Sequence, residues 1–460
     1  MADLRVVIVG AGPAGTRAAE TLVRAGLRPI VIDEGDRSGG QIYRHQPQNF
    51  KRSYTALYGT EADKAKALHD TFDGLSDHID YRPQTLAWAI RDNRIHIQRA
   101  ETSEALDFDA LIIASGATDR IMPLPGWTRP GCFSLGAAQI SLKAQACAIG
   151  RRVVFMGTGP LLYLVAYQYM KVGAVPVAVL DTTPFFTQIK GLPGMVARPM
   201  QLLKGIRLVA ALLAGGVRIE RGIVPIEIIG DAESGVTGIR YRDASGEEKR
   251  PACDAIGMGY HLRAESQLAD LAGCRFSFDP LIRQWLPDVD NMGRSSAPDV
   301  YLAGDGVRIL GADGAEASGR LAALALLEDQ GLKPSRAEIG RCRKSLKAAS
   351  RFAQGMARAF PWPHQMAQTL ADDTIICRCE VVTAGELRAS VTVTGATEVN
   401  RSKAFSRVGM GRCQGRFCGQ AGQEIVAAAC NLRVESAGRL RGQAPVKPLP
   451  LAIVRGGDDA

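Results

Sequence analysis

Aromatic residues make up only 6% of this 460-residue chain, and histidines number 6. With so few aromatics, and a net charge of +9 spread along the chain rather than gathered in one block, a nucleic-acid surface of stacking rings and a basic stripe is excluded. No apolar run reaches the roughly 18 to 20 residues that a membrane span needs. The richest stretch, Leu202 to Val217, is interrupted by Lys204, Arg207 and Gly215-Gly216, and is expected as a buried helix. Residues 39 to 131 hold no cysteine, which removes a redox dithiol from that part of the chain. No signal peptide precedes Val6, and a reducing, cytoplasmic location is the expectation.

What the chain does have is a set of four cysteines near its end, Cys377, Cys379, Cys413 and Cys418, in the pattern C-x-C, a spacer of 33 residues, then C-x4-C. Thiolates at that density repel one another unless a cation sits between them. Zinc and a [2Fe–2S] cluster are both tetrathiolate solutions, and a disulfide pair is the bland alternative. Structural zinc seldom uses C-x-C, so the spacing favours iron–sulfur. Gly409, Gly411, Gly415 and Gly419 let backbone N–H groups approach the sulfurs, and Arg378, Arg412 and Arg416 offset the negative charge. The other six cysteines, Cys132, Cys147, Cys253, Cys274, Cys342 and Cys430, have no partner spacing and are expected as small buried hydrophobes.

The beginning of the chain carries a second signal. Arg5 to Val9 is a β-branched run of the kind found in a parallel strand covered on both faces, followed by Gly10-Ala11-Gly12-Pro13-Ala14-Gly15 and a helical stretch from Thr16 to Ala25 closed by Gly26. This is G-x-G-x-x-G in the strand–turn–helix context that a pyrophosphate requires. A second strand, Pro29 to Asp33, ends at Glu34, 24 residues past Gly10. Glu34 is the expected adenosine anchor and Asp33, the neighbouring candidate, is expected to face the other side. Gly39-Gly40-Gln41 then places Gly40, Gln41 and Arg44 against a flavin, Asp109 to Ala117 brings Ala114 and Gly116 on a strand and small-residue turn, and Asp299 to Gly306 ends in Gly304-Asp305. A single NAD-binding fold is the plainer alternative.

A second fingerprint is readable but altered. The strand Arg152 to Met156 leads into Gly157-Thr158-Gly159-Pro160-Leu161-Leu162, with leucine where the third glycine belongs, and a later strand ends at Asp181 with no arginine following to take a 2′-phosphate. A structural relic is favoured over a working NAD(P)H site, although the two glycines could still admit an adenine nucleotide. His45, His261 and His364 are expected to be structural, and Glu380 to cap a helix.

These segments resemble the two-dinucleotide-domain flavoproteins of the thioredoxin and glutathione reductase family over residues 1 to about 330. With the C-terminal C-x-C and Gly409 to Gly419 module added, nearly the whole chain resembles the A (alpha) subunits of opine oxidases, the B subunit of hydrogen cyanide synthase, and the alpha subunits of hydroxyproline and dye-linked proline dehydrogenases. The module alone is similar to bacterioferritin-associated ferredoxin, whose second cysteine pair is the shorter C-x2-C. Arg412 stands where such segments commonly carry proline.

The resemblance implies an α/β fold of two nested Rossmann-like dinucleotide-binding domains plus a small helical [2Fe–2S] domain. Expected boundaries are 1–120 and 261–333 for the FAD-binding domain, 121–260 for the inserted domain, 334–370 for a charged helical connector, 371–435 for the cluster and 436–460 for an extended tail. It also implies FAD at the first fingerprint, a cluster on Cys377, Cys379, Cys413 and Cys418, and an FMN at a subunit interface. The implied partner is a beta subunit resembling D-amino-acid oxidases, with room for a small third subunit. That partner would oxidise the C–N bond of an amino-acid derivative, and electrons would pass to a quinone or other acceptor at the inner face of the membrane. No catalytic residue is assigned in this chain. Two other classes compete: a self-sufficient NAD(P)H-dependent FAD/[2Fe–2S] reductase, and a non-catalytic iron–sulfur delivery or regulatory protein.

Overall fold

The computed structural model describes residues 4–450. Two parallel five-stranded sheets organise it. The first runs Val300–Leu302, Ala110–Ile113, Val6–Val9, Ile30–Ile32, Asp80–Arg82 in spatial order. Its central strands are continuous apolar runs because helices or small sheets cover both faces. Val9 pairs with Ile32 and Ile113, and Ile113 with Leu302. The residues following these strands, Gly10, Asp33, Ala114 and Ala303-Gly304, therefore reach the same carboxyl edge, where open α/β sheets bind ligands.

The second sheet runs Arg218–Arg221, Ala178–Asp181, Val153–Thr158, Ala255–Tyr260, Cys132–Ser134, all parallel. The chain crosses between the two units on a short antiparallel ribbon in which Ala117–Asp119 pairs with Leu262–Ala264. A 24-residue helix, Arg336–Ala359, N-capped by Ser335, leads to the cysteine module. That module consists of the hairpin strands Ile375–Cys377 and Val382–Thr383 and the helices Ala384–Thr392, Val399–Ser406 and Gly419–Ala429.

The helix expected as buried forms over Pro199–Ala214 but is fully buried only at Leu212. It packs on one side, against Pro160–Lys171. Met200, Leu203, Ile206 and Leu213 stay exposed on its other face. None of the ten cysteines is in a disulfide. Cys253, Cys274 and Cys342 are buried as expected, Cys132 and Cys430 are half-buried, and Cys147 is exposed because it lies in a surface loop. The tail, expected as extended, is irregular with bends at residues 444–447, and it is anchored: the Val446 N–H donates to the Trp88 carbonyl at 3.0 Å, and Val446 is buried. Residues 451–460 of the expected tail lie outside the described residues, as do residues 1–3 of the first domain. Among the described residues no helix is long and apolar enough to cross a membrane.

Candidate flavin and iron–sulfur sites

The first cradle is built by close backbone approach. A Cβ on Gly10 (φ +103°) would stand 2.4 Å from the Ala114 carbonyl oxygen, and one on Gly15 would stand 1.7 Å from that of Gly10. Only glycine lets the helix Pro13–Arg24 start this close to its strand. The helix begins three residues earlier than expected because Pro13 occupies its first turn, where the missing N–H is no loss. The unshared N–H groups of that turn face the crevice, as a pyrophosphate requires.

Asp33, expected to face the other side of the strand, turns its carboxylate to the fingerprint loop. Asp33 Oδ2 accepts from the Ala11 N–H at 2.5 Å, and Oδ1 from the Gly35 N–H at 2.6 Å, so its carboxylate faces the fingerprint loop. Burial raises its pKa, opposed by those two N–H donors. Glu34 points outward and pairs with Lys447 of the tail. The physical reason is phase. The Asp33 N–H still bonds the Arg82 carbonyl at 3.1 Å, which holds the chain extended one residue past Ile32 and turns Asp33, not Glu34, toward the loop. Gly40 lies against Gly12, where a Cβ would come within 3.0 Å of the Gly12 Cα. Beyond it Arg44 donates to Gln41 Oε1 at 2.9 Å. Gly304 donates to Ser318 Oγ, and Asp305 accepts from the Leu310 N–H at 2.9 Å, which ties the Gly-Asp turn to the start of the helix Gly311–Asp329.

The second cradle is filled by the protein itself. The His261 ring lies over Gly159, where an added Cβ would meet its Nδ1 at 3.0 Å, and its Nε2 is bonded to the Phe360 carbonyl. Asp181, the residue in the ribose-anchor position, is buried and already satisfied by the Tyr163 hydroxyl (2.6 Å), Gln188 Nε2 (3.0 Å) and its own loop at Thr183 N (2.8 Å). Leu162 is wholly buried in the core behind them. His261 is pushed down to about 4 by burial, with nearby Arg120 acting in the same direction against the Phe360 carbonyl. It is a neutral structural group. His45, stacked on His69 at 3.8 Å, is likewise held at about 4 by burial, and His364 contacts the Trp362 carbonyl through Nδ1 at 3.3 Å.

In the cysteine module the four thiols contact one another in a row, Cys377 to Cys418 to Cys413 to Cys379. They do not surround one point: among the described residues no three His, Cys, Asp or Glu side chains form a group that could hold a single ion. Cys377 is pushed down to about 6 by the Cys418 thiol and by the N–H groups of Gly409, Glu380 and Cys379, against its burial. Cys413 is lowered in the same way by Cys418, with the N–H groups of Phe417 and Gly415 assisting. Backbone donors already aimed at sulfur are what a tetrathiolate cluster needs from its surroundings. The donor set fits.

Of the arginines expected to offset its charge, only Arg416 is enclosed. Arg378 is exposed and stacks on Phe417 with 4.3 Å from guanidinium to ring centre, and Arg412 is exposed. Glu380 accepts from Arg407 at 2.8 Å and caps no helix; Thr383 and Glu386 form the capping box instead. Arg416 makes a bidentate pair with Glu265 at 2.8 and 3.0 Å, with side chains only 9% and 12% exposed. Glu265 sits on the flavin side, where its N–H bonds the Gly116 carbonyl at 3.0 Å and its carbonyl accepts from Ser115 Oγ. One residue thus holds both the first cradle and the cysteine loop.

Comparison with known proteins agrees with this division. Residues 4–322 match the pyridine nucleotide–disulphide oxidoreductase family and residues 375–428 the BFD-like [2Fe–2S] binding domain. The opine oxidase A subunit of Rhizobium meliloti is 36% identical over 98% of this chain and 88% of its own length. The chain belongs to this oxidoreductase family, with the opine oxidase A subunits. Hydrogen cyanide synthase subunit HcnB of Pseudomonas aeruginosa is 30% identical over 98% of both chains. Among solved structures, L-proline dehydrogenase from P. horikoshii superposes with a TM-score of 0.70 at 18% identity, covering 98% of this chain and 79% of that one, which establishes the shared fold. Family membership makes the chain an oxidoreductase flavoprotein with FAD and a [2Fe–2S] cluster; the opine oxidase and hydrogen cyanide synthase relatives are named as subunits.

Sequence reasoning missed Arg263, Glu265 and Asp181's closed hydrogen-bond set. A usable signal existed for the first two: alternate charged residues in Leu262-Arg263-Ala264-Glu265, directly after an uncharged strand, share one face of an extended chain.

Proposed function

We propose that this chain is the electron-carrying subunit of a heteromeric dehydrogenase or oxidase whose partner oxidises the C–N bond of an amino-acid derivative. The observation that carries this reading is the weld of Glu265 to both the Ser115-Gly116 turn and Arg416, which sets the flavin cradle and the cysteine row side by side. When bound, FAD accepts an electron pair and the cluster passes electrons singly. Within the chain, Gly10 to Gly15 and Asp33 hold the adenine dinucleotide, Gly40, Gln41, Arg44, Ala114, Gly116, Gly304 and Asp305 line the flavin, and Cys377, Cys379, Cys413 and Cys418 ligate iron. Nothing here acts as a general acid or base on substrate, because that pocket belongs to the partner.

The partner is of the D-amino-acid-oxidase type, with an FMN at the interface and a small third subunit in the complex. A quinone or similar acceptor takes the electrons at the cytoplasmic face of the membrane. The His261 ring over Gly159 supports entry of electrons from the partner rather than from NAD(P)H. The fit of the first cradle to FAD speaks against a mere iron-delivery protein. Purification from the native host under anaerobic conditions, followed by nucleotide identification and iron and sulfide assays, tests the reading. Co-isolation of a second flavoprotein needed for oxidation of opines, imino acids or glycine supports it; full activity of the lone chain on an amino acid removes it.

A further inference from the structure

The charges around the cysteine row do not balance within the protein. Three enclosed cations face it. Arg416 is paired with Glu265, Arg263 forms no ion pair among the described residues, and Lys403, 5% exposed, has no acidic partner among them and donates to Gln443 Oε1 at 2.8 Å. Arg263 comes from the crossover ribbon of the flavin unit, not from the module. Its guanidinium is enclosed, Nε is shielded and without a partner, and Nη1 reaches only the Arg416 carbonyl at 3.2 Å. Cys413 and Cys418 lie within Coulomb range of Arg263, and Cys418 within that of Lys403.

An enclosed guanidinium without its own carboxylate is costly unless an anion stands beside it. The surplus here is two positive charges. Two ferric ions, two sulfides and four thiolates sum to a dianion, and reduction adds one more negative charge.

We propose that Arg263 is a positioning residue that sets the potential of the cluster from outside its own domain, holding the reduced state within reach of the flavin side. Because it stands two residues before Glu265, on the segment that closes the Ser115-Gly116 turn, the same short piece of chain fixes the flavin cradle and supplies the charge that favours a reduced cluster. Lysine would keep the charge; glutamine would not. Glu265 acts in the opposite sense, since its carboxylate disfavours the added electron.

This inference rests on the ligation of the cluster by the four thiols proposed above. Its test is an EPR-monitored redox titration of the full-length holoprotein, with iron and sulfide content measured on each sample. Arg263→Gln is expected to lower the reduced-to-oxidised ratio at a fixed ambient potential at least tenfold, about 59 mV for one electron. Arg263→Lys should stay within about threefold of the parent, and Glu265→Gln should shift the ratio several-fold the other way. A purely structural role predicts cluster loss in all three with no opposed shifts. If Arg263→Gln fails to fold, the opposite shift of Glu265→Gln still decides, and its ratio remaining within twofold of the parent overturns the proposal. So does a fully loaded Arg263→Gln with unchanged potential. Absence of a [2Fe–2S] signal from the parent protein would instead overturn the ligand assignment on which this stands.

Discussion

Replacing Arg416 with methionine removes the bidentate ion pair that joins the cysteine loop to the flavin unit, one of three such pairs across this boundary with Arg283–Glu424 and Arg439–Asp270. Glu265 would keep its buried carboxylate with only Arg263 nearby, so the loss belongs at the lower end of the 3–5 kcal/mol typical for breaking a buried pair, about 3 kcal/mol. The thermal shift this produces depends on what melts. Unfolding entropy of about 2.1 cal/mol/K per residue gives about 1 kcal/mol/K if the whole chain melts as one, and a midpoint about 3 °C lower. If the module of residues 371 to 450 melts first, its entropy is only about 0.17 kcal/mol/K, and the same loss lowers that transition by nearly 20 °C. Scanning calorimetry of the holoprotein, with iron release followed in parallel, separates the two. The bidentate geometry predicts that Arg416→Lys recovers only part of the loss, because an ammonium cannot form the fork. A midpoint for Arg416→Met within 1 °C of the parent, with normal iron retention, would refute the idea that this pair contributes to the docking.

Three further outcomes follow from the geometry. NADH or NADPH added anaerobically should leave the flavin absorbance unbleached, since His261 and Phe360 fill the second cradle and Asp181 is already bonded; rapid bleaching would show that this region opens. Asp33→Asn should weaken FAD retention at least tenfold on gel filtration while Glu34→Gln retains it fully, and the reverse result would restore Glu34 as the anchor. The third concerns pH: burial holds His261 at about 4 against about 6.5 unfolded. Between those values the unfolded chain binds the extra proton, so stability is present above pH 6.5 and is lost as pH falls toward 4, on the order of 3 kcal/mol. Melting curves of the parent and of His261→Asn should therefore diverge most near neutral pH and converge near pH 4, and a constant offset across that range would count against a neutral buried imidazole.

The parts legible in the sequence were those whose chemistry is local. Gly10 to Gly15 works through contacts within one strand, turn and helix, and the cysteine pattern works through spacing along short segments, so both could be read in isolation. The orientations of Asp33 and Glu34 were not separable that way, because they depend on whether the strand continues one residue further, and a hydrogen bond from Asp33 to Arg82 in a neighbouring strand sets them. Leu202 to Val217 looked like a core helix on composition alone; how much of its apolar surface is covered is set by the single helix beneath it. Arg416 and Glu265 are 151 residues apart, and no local pattern in either segment names the other.

The filled second cradle and the cysteine module share a cause. Phe360, whose carbonyl holds His261 over Gly159, and Trp362, on which the Arg120 guanidinium stacks at 3.7 Å, both belong to the turn between the connector helix and the module. Arg120 follows the first strand of the crossover ribbon and His261 precedes the second, so this turn grips the ribbon from both sides. Any chain path that carries the module to the flavin side over this ribbon must lay residues 360–362 across the mouth of the second fold. Residues 360–362 therefore touch the second fold and the crossover ribbon at once.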